Sequence, residues 1–123
     1  MTRITSVKFI SIIPLLVIAF TTPFHTSAAG FDCRRATQVD EKAICADRAL
    51  SEKDVQMTTT YNLLKGLLLM GARGALQDEQ TEWLKQRQQC GASHACLSQL
   101  YDQRIHALTG AYDKVANTIT TGY

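Results

Sequence analysis

Cys90 and Cys96 stand six positions apart in "CGASHAC", with His94 between them, and two further cysteines, Cys33 and Cys45, lie upstream. Three chemistries suit such residues: a zinc site built from thiolates and an imidazole, a reactive dithiol, or disulfide clips. Zinc ligation is the main competitor to disulfides, but neither pair has the spacing of a familiar zinc finger, and exported thiols tend to oxidise. A redox-active dithiol is expected as Cys-x-x-Cys after a strand, and neither pair meets that pattern. The choice therefore turns on the compartment.

The start of the chain points to export. "MTRITSVK" carries Arg3 and Lys8, "FISIIPLLVIAF" is an apolar run interrupted by Pro14, and "TTPFHTSAA" ends in small residues. These are the three regions of a secretory signal peptide. The apolar run is short for a bilayer span, and no cysteine occupies a lipoprotein cleavage position. Ser27 and Ala29 fit the two small-residue positions of a cut after Ala29, so residues 1–29 are read as a signal peptide. Removing those 29 residues from 123 leaves a mature chain of 94, from Gly30 to Tyr123. All four cysteines are then exported, and an even number of exported cysteines predicts a disulfide framework. Local pairing, Cys33 with Cys45 and Cys90 with Cys96, is preferred over the two other connectivities because each partner lies within a turn or two of predicted helix of the other.

A mature chain of this length holds one domain and a modest core, near the size where covalent constraint helps. Losing Arg3 and Lys8 leaves eleven Lys and Arg against eleven Asp and Glu, so the mature protein is formally neutral. Nucleic acid is excluded as an expected partner, because phosphate binding needs a clustered surplus of Lys and Arg. No membrane anchor is expected once the signal peptide is cut.

Hydrophobic periodicity after Gly30 is helical, with no alternating run long enough for a convincing strand. A short helix fits "VDEKAICAD", capped by Asp40 or Thr37. A long second helix is predicted from "SEKD", with Ser51 and Asp54 at capping-box spacing, and its stripe runs Leu50, Asp54, Met57, Tyr61, Leu64, Leu68. "MGARGAL", with two glycines, is predicted to break it. A third helix over about Ala75 to Gln89 aligns Leu76, Gln80, Trp83, Leu84 and Arg87. A fourth, from His94, aligns Leu97, Leu100, Tyr101, Arg104, Ile105, Leu108 and Tyr112. Residues 30–117 form the expected domain and 118–123 a frayed tail. Gly91 terminates the third helix, Ser93 caps the fourth, and a Cys90–Cys96 bridge clips the two into a hairpin.

Three charges interrupt the apolar stripes: Asp54, Arg87 and Arg104. A buried charge needs a partner, so a structural network is expected in which Asp54 or Glu41 accepts from Arg87 or Arg104. A binding site where the hairpin meets the second helix is the sharper alternative. Trp83, Tyr61 and Tyr101 are expected core anchors. His94 and His106 are expected in solvent.

At these residues the chain resembles the LprI-type lysozyme-inhibitor N-terminal domain, a family of small exported bacterial proteins. The resemblance rests on "FDCRRATQVDEKAICADRAL", Asp54, Tyr61, "QTEWLKQRQQC" and "CLSQLYDQRIHAL", in that order, from Phe31 to about Leu108. It implies an all-helical, disulfide-bonded domain and, for at least one member, inhibition of lysozyme. Lys53, where a leucine is usual, and the glycine-bearing "MGARGAL" depart from the pattern, which bears on the packing of the second helix and the shape of the following turn.

Two function classes follow. One is a protein inhibitor of a peptidoglycan-cleaving lysozyme, acting by stoichiometric binding. The other is a periplasmic interaction module that binds a different protein partner or supports an envelope complex. An enzyme is not expected, since no nucleophile–base constellation or metal cluster stands out, and no cofactor is called for. Animal lysozymes are usually strongly basic, so an acidic rim suits such a partner. Asp78, Glu79 and Glu82 are the candidate rim. Their plainer reading is a solvated helix N-terminus favoured by the dipole.

Overall fold

A computed structural model describes residues 29–122; the predicted signal peptide lies outside this range except for Ala29. One 3-10 turn, Cys33–Arg35, leads into four helices: α1 Val39–Ala46, α2 Arg48–Leu67, α3 Met70–Gln89 and α4 His94–Thr121. The protein is an all-α bundle with no strand among the described residues.

The helix starts differ from the sequence expectation. At α1 neither Thr37 nor Asp40 caps. Instead the Glu41 carboxylate reaches back and accepts from the backbone N–H groups of Thr37 at 2.9 Å and Gln38 at 3.1 Å. That leaves Asp40 free to turn inward one turn before Ile44, on the same helix face, where it is 1% exposed. At α2 the cap is Asp47, which accepts from the Leu50 N–H at 3.0 Å, so the helix begins three residues before "SEKD". Asp47 is as good a cap as Ser51 and comes first. Ser51 is consequently interior, its hydroxyl donating to the Ile44 carbonyl at 2.6 Å and tying α2 to the end of α1.

The break between α2 and α3 falls at Leu68 and Leu69, both extended, rather than at the glycines. The Arg73 guanidinium takes the Leu68 carbonyl at 3.0 Å, so one orphan acceptor of the α2 C-terminus is satisfied. Gly71 and Gly74 then lie inside the first turns of α3. At the other extreme α4 continues through Thr121 where a frayed tail was expected. The hydroxyls of Thr118, Thr120 and Thr121 donate to carbonyls four residues back, at 2.8 to 2.9 Å, and the first residue to end the helix is Gly122.

Ile44, Leu50, Met57, Leu64, Leu76, Trp83, Leu97, Tyr101 and Leu108 form one continuous core. Within α2 they recur every seven residues, which on a 3.6-residue helix keeps one face inward. Each fully buried Leu or Ile contributes about 1.5–3 kcal/mol relative to exposure. The backbones of α2 and α4 lie against each other most extensively, while α3 meets the bundle largely through the long side chains of Trp83, Gln80 and Arg87. The clipped hairpin therefore meets through side chains, and the most extensive helix pairing, α2 with α4, is between helices that no short loop joins.

Both expected disulfides are present, Cys33–Cys45 and Cys90–Cys96. Between Cys90 and Cys96 the chain reverses at Gly91, which alone among the described residues has a left-handed φ, +55°, where a side chain would be strained. Ser93 caps α4 by accepting from the Cys96 N–H at 3.3 Å. Closing these loops stabilises the fold by about 3 kcal/mol for Cys33–Cys45 and about 2 kcal/mol for Cys90–Cys96, on the chain-entropy relation.

Candidate functional site

The titratable residues converge at the cysteine-bearing end of the bundle. Arg87, on α3 and 5% exposed, donates from Nε to Asp40 Oδ2 at 2.8 Å. Its Nη1 lies 3.5 Å from both Asp54 Oδ1 and the Tyr101 hydroxyl. Tyr101, fully buried on α4, donates to Asp54 Oδ1 at 2.7 Å. The other Asp54 oxygen accepts from the Gly30 backbone N–H at 2.7 Å. One guanidinium, two carboxyl groups and one phenol thus join α1, α2, α3, α4 and the incoming strand of chain.

Two aromatic rings lie against the cation. The Arg87 guanidinium lies 5.5 Å from the Phe31 ring centroid and 5.9 Å from that of Trp83, and Trp83 meets Tyr101 edge to face at 5.2 Å. Trp83 also donates from Nε1 to the Leu100 carbonyl at 3.4 Å. Burial opposes the Arg87 charge, but the Tyr101 oxygen and the Asp40 carboxylate outweigh it, and the net effect holds the guanidinium pKa above its ordinary value. Burial, followed by the Asp54 charge, pushes the Tyr101 phenol well up, so it remains a donor. Arg87 and Tyr101 both keep their protons and stay hydrogen-bond donors. The cluster's chemistry is that of a structural lock.

Of the residues expected in the charge network, Asp54 and Arg87 meet directly. Glu41 does not join them; its carboxylate is committed to the α1 N-terminus, and hydrogen bonds from Gln38 and then Thr37 hold its pKa below the usual range. Arg104 takes a separate place, donating to Gln80 Oε1 at 3.1 Å and approaching Glu79 Oε2 at 3.4 Å. Its Nη2 is buried with no partner among the described residues. Asp40 was missed as a core ligand because its position fits a cap equally well, although its spacing from Ile44 was a signal. Gly30 carried no such signal. Tyr61 is half-buried rather than a full core anchor, with the Lys65 ammonium 5.1 Å over its ring.

Two surface hollows flank the lock. One, of about 500 Å³, opens between α2 and α3 and is lined by Phe31, Tyr61, Asn62, Gln77, Thr81 and Leu84, with Asp54 and Arg87 at its floor. The other, of about 820 Å³, is a shallow depression along α3 and α4. It gathers Asp78, Glu79 and Glu82 around Trp83 and Arg104, so the candidate acidic rim lines one surface. Elsewhere, Leu69 and Met70 at the α2–α3 junction are 84% and 88% exposed. His94 and His106 are exposed, His94 Nε2 lying 3.3 Å from Asp47. Among the described residues there is no free thiol, no group of three or more potential metal ligands, and no helix long and apolar enough to cross a membrane.

These features define a small, doubly disulfide-stapled helical domain whose buried charges serve the fold. The sequence model described as "Lysozyme inhibitor LprI" matches residues 33–108, more than half of the chain, and the chain belongs to that family. The matched segment contains the four cysteines, the Asp40–Arg87–Asp54–Tyr101 lock and the acidic rim, and it begins after Gly30. No curated protein and no solved structure matches the chain.

Proposed function

We propose that this chain is itself an exported inhibitor of lysozyme that acts by stoichiometric binding, with the acidic depression along α3 and α4 as its contact surface. Membership of a family described as lysozyme inhibitors carries the reading. The surface adds support: Asp78, Glu79 and Glu82 line one hollow with Trp83 and Arg104, and although Glu79 and Glu82 already pair with Arg104 and Lys85, these exposed carboxylates give a cationic partner an electrostatic target by exchange. Charge complementarity of this kind raises association rates and fixes register more than it adds raw affinity, so a broad acidic rim suits a basic enzyme. The rigid lock beneath favours the same reading, since a preordered surface loses little side-chain freedom on binding.

The test is a titration of animal-type, goose-type, invertebrate-type and phage-type lysozymes with the oxidised protein on cell-wall substrate. Residual activity of at least one should fall linearly to a plateau near one inhibitor per enzyme, and Glu79→Lys with Glu82→Lys should weaken that inhibition tenfold or more. Full activity of the whole panel at large molar excess would overturn the reading and leave an interaction module with another protein partner.

A further inference from the structure

Asp54 sits where it can hold a charge that the intact chain does not supply. The lock contains two carboxyl groups, Asp40 and Asp54, both 1% exposed, against a single guanidinium, Arg87. Both oxygens of Asp54 act as acceptors, Oδ1 from Tyr101 and Oδ2 from Gly30. The group at Oδ2 is a neutral backbone amide at 2.7 Å, the shortest approach of any nitrogen to that carboxylate. A buried carboxylate excess of this kind is costly unless a cation completes it.

The sequence supplies one. A cut after Ala29 adds one water across the Ala29–Gly30 peptide bond, leaving a carboxylate on Ala29 and an α-ammonium on Gly30. We infer that the α-ammonium group created at Gly30 by removal of the export leader is the missing cation of the lock, seated on Asp54 Oδ2. The backbone nitrogen is already placed there, so no segment need move. The site also fits glycine alone: a Cβ on residue 30 would lie 2.7 Å from Thr58 Oγ1 and 3.1 Å from Asp54 Oδ2. Ala29 is only 8% exposed in the uncut chain, so the endopeptidase of the export machinery must act before the domain closes, as it does on a chain in transit. Processing and folding are thereby coupled: the cut generates the ion that pairs with the buried Asp54 from the exposed edge of the lock. The groups around the new amine are Asp54 and Thr58 from α2, Glu41 from α1 and Arg87 from α3, with Tyr101 of α4 and Asp40 of α1 behind them in the lock. Among these groups Arg87 is the opposing charge, and it lies on the Oδ1 side, paired with Asp40.

What this requires is the cut after Ala29, and it is independent of any action on lysozyme. Intact mass of the protein recovered from the exporting cell should correspond to a chain beginning at Gly30. In that protein, labelled at Gly30, NMR titration should place the α-amino group a unit or more above the ordinary value of about 7.7–8.0. A raised folded pKa means the extra stability is fully present below about pH 8 and fades as pH rises through the folded value. At pH 6.5 the processed chain should therefore melt about 5 °C above a chain beginning at Ser27, in which Gly30 keeps its neutral amide. The gap should close at high pH and in an Asp54→Asn pair. A chain that starts at another residue, an amine titrating at its ordinary value, or equal melting of the two forms would each overturn the inference, and the amine titration needs no variant that could fail to fold.

Discussion

The two ends of this bundle are built on opposite principles. At the cysteine end, α1, the start of α2, the end of α3 and the start of α4 are fixed by two disulfides and a buried ion network. At the other end α2 passes into α3 through two extended leucines, no disulfide crosses the junction, and Leu67, Leu69 and Met70 face solvent. Apolar burial is non-directional, so it holds helices together without choosing one arrangement among many. Hydrogen-bonded ions do choose, because a misplaced partner leaves a buried charge uncompensated. The comparison teaches that this small domain concentrates its specificity at one end and leaves the other to packing.

The largest expected effect comes from removing the cation. Arg87→Ala leaves Asp40 and Asp54 buried and opposed, and should cost about 3–5 kcal/mol, a large share of the roughly 5–15 kcal/mol available to a domain. Urea unfolding monitored by Trp83 fluorescence measures it. Arg87→Lys retains the charge but cannot reach Asp40 and Tyr101 with one planar fork, so it should fall between wild type and alanine. Equal midpoints for wild type and Arg87→Ala would mean that the cysteine end is held by its disulfides alone.

Next come the clips. Cys33→Ser with Cys45→Ser should cost about 3 kcal/mol and Cys90→Ser with Cys96→Ser about 2 kcal/mol, following loop length. Cys33–Cys45 holds the 3-10 turn, next to Phe31 whose ring lies against Arg87, to α1, so its loss should also lower the protection of the Gly30 amide against hydrogen exchange. The hairpin clip should leave that amide unchanged. Reversal of this order would place the weak point of the cysteine end in the α3–α4 turn.

A smaller effect is expected at Glu41. Its carboxylate accepts two backbone N–H groups, and Glu41→Gln should cost about 1 kcal/mol at pH 7, as caps do. The pKa of Glu41 is lowered in the folded state, so this stability is present above the unfolded carboxyl value and is lost as pH falls through the folded one. The difference between wild type and Glu41→Gln should therefore shrink between about pH 5 and pH 3. A difference independent of pH would mean that the cap is structural packing rather than charge.

The sequence was most legible where one role excluded others. Four cysteines in two local pairs behind an expected export signal have few alternatives, and Trp83 and Arg87 share a stripe with Leu76 and Gln80 that only a helix can align. Legibility failed where two residues competed for one role. Asp47 and Ser51 are both good caps, and which of them starts α2 depends on whether the other is needed inside, which only the Ser51–Ile44 hydrogen bond decides. Asp40 and Glu41 exchange their expected roles for the same reason: once Glu41 reaches back to Thr37 and Gln38, the neighbouring carboxyl faces the core. The start of α3 was hidden by Gly71 and Gly74, whose local preference is about 1 kcal/mol each against helix and is overridden by packing. Gly30 is the extreme case, since its partner is 24 residues away.

The smallest effect on stability is expected at the α2–α3 junction, and it bears on function. Leu69→Ser with Met70→Ser removes two side chains that are 84% and 88% exposed, and surface changes of this kind usually stay within about 0.5 kcal/mol. The unfolding midpoint should therefore match wild type, in contrast to every substitution at the cysteine end. Because the fold is unperturbed, the same double variant is a clean probe in the lysozyme titration. If the acidic depression makes the contact, inhibition by Leu69→Ser with Met70→Ser stays at the wild-type level while Glu79→Lys with Glu82→Lys weakens it. If the order is reversed, the partner is held at the apolar end through burial, and the ion network acts only as the rigid base from which that end projects.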